Sequence, residues 1–365
     1  MLAINDSLAA RPFVGSNRLA WVDTAKFLGI FAIYIGHVDP VGGRVRQFVF
    51  LYHVPFFFLL AGMFALSSLK YTLIQNIKKK IFSILIPYFG FCLMNILVIV
   101  IDQDVTKANL YTMLKQALYG IRNQIFANSL WFLPCLFIVY IGYDILTRAL
   151  AKYTSNHTVI LLIISFLLYL IMGVIGPSAP SWFFNLDSAM SYLVYFSLGA
   201  FIFPFIQDFK LLNQKTFVKI VNIGLCISTF AFAALMLFKG PNYLLAYLNL
   251  ALPLFGQLLY SFMITCILIF ANLIIAKYFL RISLFTSMGK DTLINCGTEQ
   301  IANFFALKIF LIYGSTFVIS NTYALAFYTL ALLIISHFTI VAFINKYLVV
   351  FSGQYRVNKQ IQKNV

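Results

Sequence analysis

Charge is scarce in this chain: Asp, Glu, Lys and Arg make up 10% of its 365 residues, against 62% hydrophobic ones. No stretch is polar enough to read as a separate soluble domain, so residues 18 to 346 read as one integral membrane domain. Cysteine is scarce too. Cys92, Cys135, Cys226, Cys266 and Cys296 all fall in apolar stretches with no paired CxxC spacing, which argues against a disulfide framework and a zinc site and leaves them as small core residues. The sequence has no P-loop, no GxGxxG turn and no HExxH helix, so no nucleotide or metal motif competes for the function. Residues 1 to 17 hold Asp6, Arg11, Pro12 and Asn17 without a long apolar run. No cleavable signal peptide is expected there, and the first apolar segment is read as a retained helix.

What the chain has in abundance is aromatic and aliphatic surface, with 40 Phe and 21 Tyr. Windows near 20 residues long give about ten spans, at roughly 20 to 38, 48 to 68, 80 to 101, 129 to 147, 158 to 176, 187 to 206, 217 to 238, 247 to 275, 291 to 312 and 319 to 344. The eighth is interrupted by Pro253 and reads either as one helix or as a helix with a re-entrant turn. The fold expected is therefore an all-α polytopic transmembrane bundle, with a cytoplasmic segment 1 to 17 before it and a cytoplasmic tail 347 to 365 after it.

Basic residues support that topology, because short cytoplasmic loops collect Lys and Arg. With both termini inside, the inner loops hold Lys70, Lys78, Lys79, Lys80, Arg148, Lys152, Lys277, Arg281 and Lys290 among others, and every inner segment has at least two. Arg44, Arg46, Lys107, Lys115, Arg122 and Lys239 fall outside. The net charge of +16 thus follows from topology beside anionic lipid and calls for no nucleic acid partner.

Ionisable groups at membrane depth are costly and usually functional. The first span carries Asp23, Lys26 and His37, and His53 opens the next in Tyr52-His53-Val54-Pro55-Phe56-Phe57-Phe58. Lys26 and His37 are almost three helical turns apart, so they share a face about 16 Å apart along the axis. Asp23 lies one turn from Lys26 and is its expected salt partner. Two imidazoles could then converge in the outer half with a cation below them. Lys26 has two plainer readings, a buried ion pair with Asp23 or a cation snorkelling to the interface. These residues by themselves reach no further than a functional polar site.

The run Arg18-x-x-Trp21-Val22-Asp23-x-x-Lys26, then Gly36-His37, then His53-Val54-Pro55-Phe56-Phe57-Phe58-Leu59-Leu60-Ala61-Gly62 resembles the acyltransferase 3 family of integral membrane acyltransferases. Further matches follow in the family's order: Lys78-Lys79-Lys80 before Ile86-Pro87-Tyr88, Leu130-Trp131-Phe132-Leu133-Pro134, Gly199 after an aromatic run, and Gly289-Lys290-Asp291-Thr292-Leu293. Within the family the chain is most similar to the fucose 4-O-acetylase-like branch. The resemblance implies transfer of an acyl group, usually acetyl from cytoplasmic acetyl-CoA, to a sugar hydroxyl of a surface glycan or lipid-linked sugar, in a bacterial cytoplasmic membrane and with no metal. It places the family's basic residue and first His on Lys26 and His37, and its second His on His53. His37 is then a general base or a covalent acyl carrier. His53 orients substrate or acts as second acid/base, and Lys26, with Arg18 and Asp23, takes the coenzyme side.

The ninth span repeats polar residues every fourth position, Asp291, Asn295, Glu299 and Asn303, a stripe that lipid could not satisfy and that should face the bundle interior. Glu299 is the third catalytic candidate, as partner to a histidine or a sugar hydroxyl; its plainer reading is an interhelical hydrogen bond. The family often has a helical His in this region, where this chain has Gly297-Thr298-Glu299-Gln300. Asn295, Asn303 and Trp131 are candidate substrate contacts, Trp131 as a cavity wall or interfacial anchor. His157, in an inner loop, and His337, alone in the last span, read as structural, and Asp187, at an outer helix start, as a cap or dipole partner. The competing class is a secondary transporter or a flippase for lipid-linked sugar. A third is an assembly protein with decayed catalytic residues.

Overall fold

The computed structural model describes residues 18–38, 43–103, 105–207, 216–312 and 322–353. The expected N-terminal segment 1–17 and the tail from 354 onward lie outside the described residues. Among those described there is no strand. The helices in chain order are α1 Ala20–His37, α2 Gly43–Phe50, α3 His53–Gly62, α4 Leu73–Lys80, α5 Ile86–Asp102, α6 Lys107–Tyr119, α7 Phe132–Leu150 and α8 His157–Ile175. They continue with α9 Leu186–Gln207, α10 Thr216–Lys239, α11 Tyr243–Tyr247, α12 Leu254–Ile274, α13 Ser283–Lys290, α14 Thr292–Ile312, α15 Thr322–Ser336 and α16 Ala342–Tyr347.

Eight helical segments among the described residues are long and apolar enough to cross a membrane. The two other expected spans are α1 and α14, helical but interrupted by Asp23, Lys26, His37 and Glu299. The chain is a multi-pass membrane protein. The eighth span begins later than its hydropathy suggests, at Leu254, because Pro253 lacks an N–H and forces the preceding residue out of the helical region. The residues before it form the short helix α11. A capping box of Thr72 and Gln75 starts α4, and Gly120 in the left-handed region, φ 61°, ends α6.

Helix α1 sits at the centre, touching α2, α3, α13, α14 and α15. Its Phe27, Ile30, Ile33 and Tyr34 pack with Met288, Cys296, Ala302, Leu332 and Leu333. By contrast only 11% of the α8 window and 6% of the α10 window are buried, so those helices form the lipid-facing rim. The polar helix is thus wrapped by apolar ones, the arrangement a hydrocarbon solvent demands.

Two close crossings fix the centre, and glycine permits both. A Cβ on Gly289 would lie 1.8 Å from the Asp23 carbonyl oxygen, so α13 lies backbone to backbone against the start of α1. A Cβ on Gly62 would lie 1.9 Å from Phe196 O and one on Gly199 2.0 Å from Leu59 O, a reciprocal contact that seats α3 on α9. All three glycines belong to the motifs that carried the family resemblance.

Candidate active site

The two ends of α1 hold different polar clusters. At the N-terminal end Asp23, 2% exposed, bridges two cations: Arg18 Nε donates to Oδ2 at 2.6 Å and Nη2 to Oδ1 at 3.1 Å, while Lys26 Nζ reaches Oδ1 at 3.4 Å. Both cations keep an outward side, with 53% of the Arg18 and 30% of the Lys26 side chain exposed. The carboxylate orients the pair and leaves donors turned to the exterior. That is the arrangement an anionic group can use.

At the other end His37 meets Glu299, which is the one glutamate in the sequence and 2% exposed. His37 Nδ1 lies 2.8 Å from Glu299 Oε2. A carboxylate at this contact can only accept, so Nδ1 carries the hydrogen and Nε2 carries the lone pair. No described residue bonds that Nε2. The second carboxylate oxygen accepts from Asn303 Nδ2 at 3.0 Å, and Tyr328 OH donates to Asn303 Oδ1 at 3.2 Å, so a chain of bonds fixes the carboxylate from behind.

His53 is held in the same sense. Its Nδ1 donates to Val49 O at 2.8 Å and the residue is 5% exposed, which again leaves Nε2 as the basic atom. The Phe50 ring bridges the two imidazoles, its centre 6.4 Å from that of His37 and 4.8 Å from that of His53. The break at Leu51–Tyr52 between α2 and α3 is what turns His53 toward this end of α1.

A loop from Gly120 to Trp131 frames the same region. Ser129 Oγ donates to Cys296 O at 2.7 Å, and Asn95 Nδ2 to Gly297 O at 3.0 Å, holding the turn of α14 that carries Glu299. Trp131, 6% exposed, lies under the Arg122 guanidinium with Cζ 4.7 Å from its ring centre.

The sequence-derived stripe is where it was expected, since Asn295 is 0% and Glu299 2% exposed. Asn295 is enclosed among α1, α13 and α14: its carbonyl accepts from Tyr34 OH at 3.0 Å and its Nδ2 reaches Met288 O at 3.5 Å. Asp187 accepts from the backbone amides of Ser181, Trp182 and Ser188, so it ties the segment before α9 to that helix's first turn. His337 is not alone. A π-helical turn over His337–Val341 sets its Nε2 3.4 Å from Ser287 Oγ and its Nδ1 3.9 Å from Asp291 Oδ2.

Sequence reasoning passed over Tyr328 and Asn185. Neither is charged or spaced with the motif residues, so neither gave a signal. No group of three or more His, Cys, Asp or Glu that could hold a metal occurs among the described residues.

A family model described as an acyltransferase domain matches residues 19–295. The match takes in Asp23, Lys26, His37, His53, Trp131 and Asn295 and ends just before Glu299 and Asn303. No curated protein and no solved structure matches the chain.

Proposed function

The chain belongs to the acyltransferase 3 family, a membrane acyltransferase, and from that premise we propose that it moves an acetyl group from acetyl-CoA to a sugar hydroxyl of a surface or exported glycan. The observation that carries the reading is the His37–Glu299 bond, which sets Nε2 as the basic atom at a site 16% exposed. In the reaction Nε2 takes the proton of the acceptor hydroxyl as its oxygen attacks the thioester carbonyl. The C–S bond breaks, the coenzyme thiolate leaves, and the imidazolium returns the proton to sulfur. Glu299 holds the tautomer and stabilises the imidazolium that forms, a role carboxylates play beside catalytic histidines on unrelated folds.

Arg18 and Lys26, spread around Asp23, take the coenzyme phosphates at the opposite end of α1. The eleven residues from Lys26 to His37 rise about 16 Å, a distance that a pantetheine arm spans. Phosphates at one end and a base at the other then place donor and acceptor on opposite sides of the membrane, the coenzyme on the cytoplasmic side as the basic loops suggest. His53, whose Nε2 is likewise the basic atom, orients the acceptor. The motif set favours the fucose 4-O-acetylase-like branch and a bacterial cytoplasmic membrane as the setting.

The experiment is transfer of labelled acetyl from acetyl-CoA to endogenous envelope glycan in membranes carrying the wild type or His37→Ala at matched abundance. Transfer by the wild type and its loss in the variant is expected. Full transfer by His37→Ala removes His37 as the base, and no transfer by folded wild type removes acetyl-CoA as the donor.

A further inference from the structure

Arg122 occupies a built setting that the acyl-transfer chemistry leaves unused. Asn185, fully buried, carries it: its Nδ2 donates to Gly120 O at 2.6 Å and to Trp131 O at 3.3 Å, and its Oδ1 accepts from the Arg122 backbone N–H at 2.6 Å. Asn185 and Phe184 both hold positive φ, 55° and 51°. Asn tolerates left-handed backbone but a bulky Phe does not, and two such residues in succession persist only where the surroundings over-determine them. One strained corner therefore clamps both ends of the loop that presents the arginine.

The guanidinium itself lies over the Trp131 ring, and its Nη1 donates to Tyr192 OH at 3.4 Å. Tyr192 stacks on Phe58, centres 4.7 Å apart, and tilts against Trp131 at 6.1 Å. Among the described residues no carboxylate pairs with Arg122. Asp187, the buried acid on the adjoining first turn of α9, has both oxygens bound to backbone amides. The same loop bonds to α14 through Ser129, and Tyr192, which takes the guanidinium hydrogen bond, stacks on Phe58 of the helix that His53 opens, so the guanidinium lies at the acceptor end of the site.

A partly buried guanidinium with no acidic partner, fixed against aromatic faces, is a receptor for a planar or tetrahedral oxyanion. We propose that Arg122, Trp131 and Tyr192 form an anion subsite of the acceptor pocket, so that the acceptor is an acidic glycan bearing a carboxylate or a phosphate. This rests on the acyltransferase reading for its place in the reaction, but not for its binding.

The test reads binding through Trp131 emission in the full-length chain carrying His37→Ala, with the other two tryptophans replaced by Trp21→Phe and Trp182→Phe. The probes are methyl glucuronide, methyl glucoside 6-phosphate and neutral methyl glucoside. At least one acidic probe should perturb the emission at concentrations roughly tenfold or more below the neutral one, as expected for a charge-assisted contact. Which acid binds more tightly separates carboxylate from phosphate. Arg122→Gln should abolish the preference and Arg122→Lys retain part of it. Equal response to all three probes, response to none, or a preference that survives Arg122→Gln overturns the proposal. If Arg122→Gln does not fold, the probe comparison on the parent protein decides. A preference for acid in a protein whose wild type transfers no acetyl leaves the subsite standing and removes acetyl-CoA as the donor instead.

Discussion

The two ends of α1 use the same ingredients, a carboxylate 2% exposed and a nitrogen base, and arrive at opposite results. At the first end Asp23 is shared by a guanidinium and an ammonium, and its partners present their remaining donors outward. At the second Glu299 is shared by one imidazole and one amide, and the imidazole keeps a lone pair on Nε2. A pair of cations offering only hydrogen-bond donors makes a holding site, whereas an imidazole made basic at one atom makes a reacting site. What decides between them is the partner of the carboxylate, since its burial is the same.

Glu299→Gln breaks the second end while keeping its shape. Turnover should fall on the order of 10²–10⁴-fold with little change in KM for acyl-CoA, because the tautomer and the imidazolium lose their support; steady-state transfer at varied acyl-CoA reads both parameters. Lys26→Ala weakens the first end and leaves Asp23 bound twice by Arg18. KM for acyl-CoA should rise roughly tenfold to a hundredfold with kcat nearly unchanged, the loss of one charge-assisted contact. The two variants together would show the holding and reacting functions on separate parameters.

Gly289→Ala attacks the support of the first end, since its new Cβ would meet Asp23 O at 1.8 Å. Denaturant unfolding in detergent should show a loss of about 1–3 kcal/mol from overpacking, while Gly224→Ala, with nothing within 4 Å of the new Cβ, should not destabilise. Tyr328→Phe is the mildest change. It removes a bond twice removed from His37, and kcat should drop roughly fivefold, the equivalent of about 1 kcal/mol.

The spans were legible because hydropathy over some 20 residues is a strong signal, and the one late start, at Leu254, came from a single proline. The pairing of Lys26 with Asp23 was legible from helical spacing alone. The pairing of His37 with Glu299 was not. Nothing local links residues 262 positions apart, and the four-residue stripe on α14 told that Glu299 faced inward, as partner to a histidine or a sugar hydroxyl, but not to which histidine. The setting of Arg122 was hidden for a different reason, because the residue that clamps it is a neutral asparagine whose role depends on a positive φ. Sequence periodicity reports which face of a helix is buried, but not which residue of another helix meets it.

The most direct measurement is a double-mutant cycle on acetyl transfer from acetyl-CoA with wild type, His37→Ala, Glu299→Gln and the pair. If Glu299 acts through His37, the pair is no slower than His37→Ala alone. Losses that multiply in the double variant, or a His37→Ala enzyme that keeps wild-type transfer, would contradict the account.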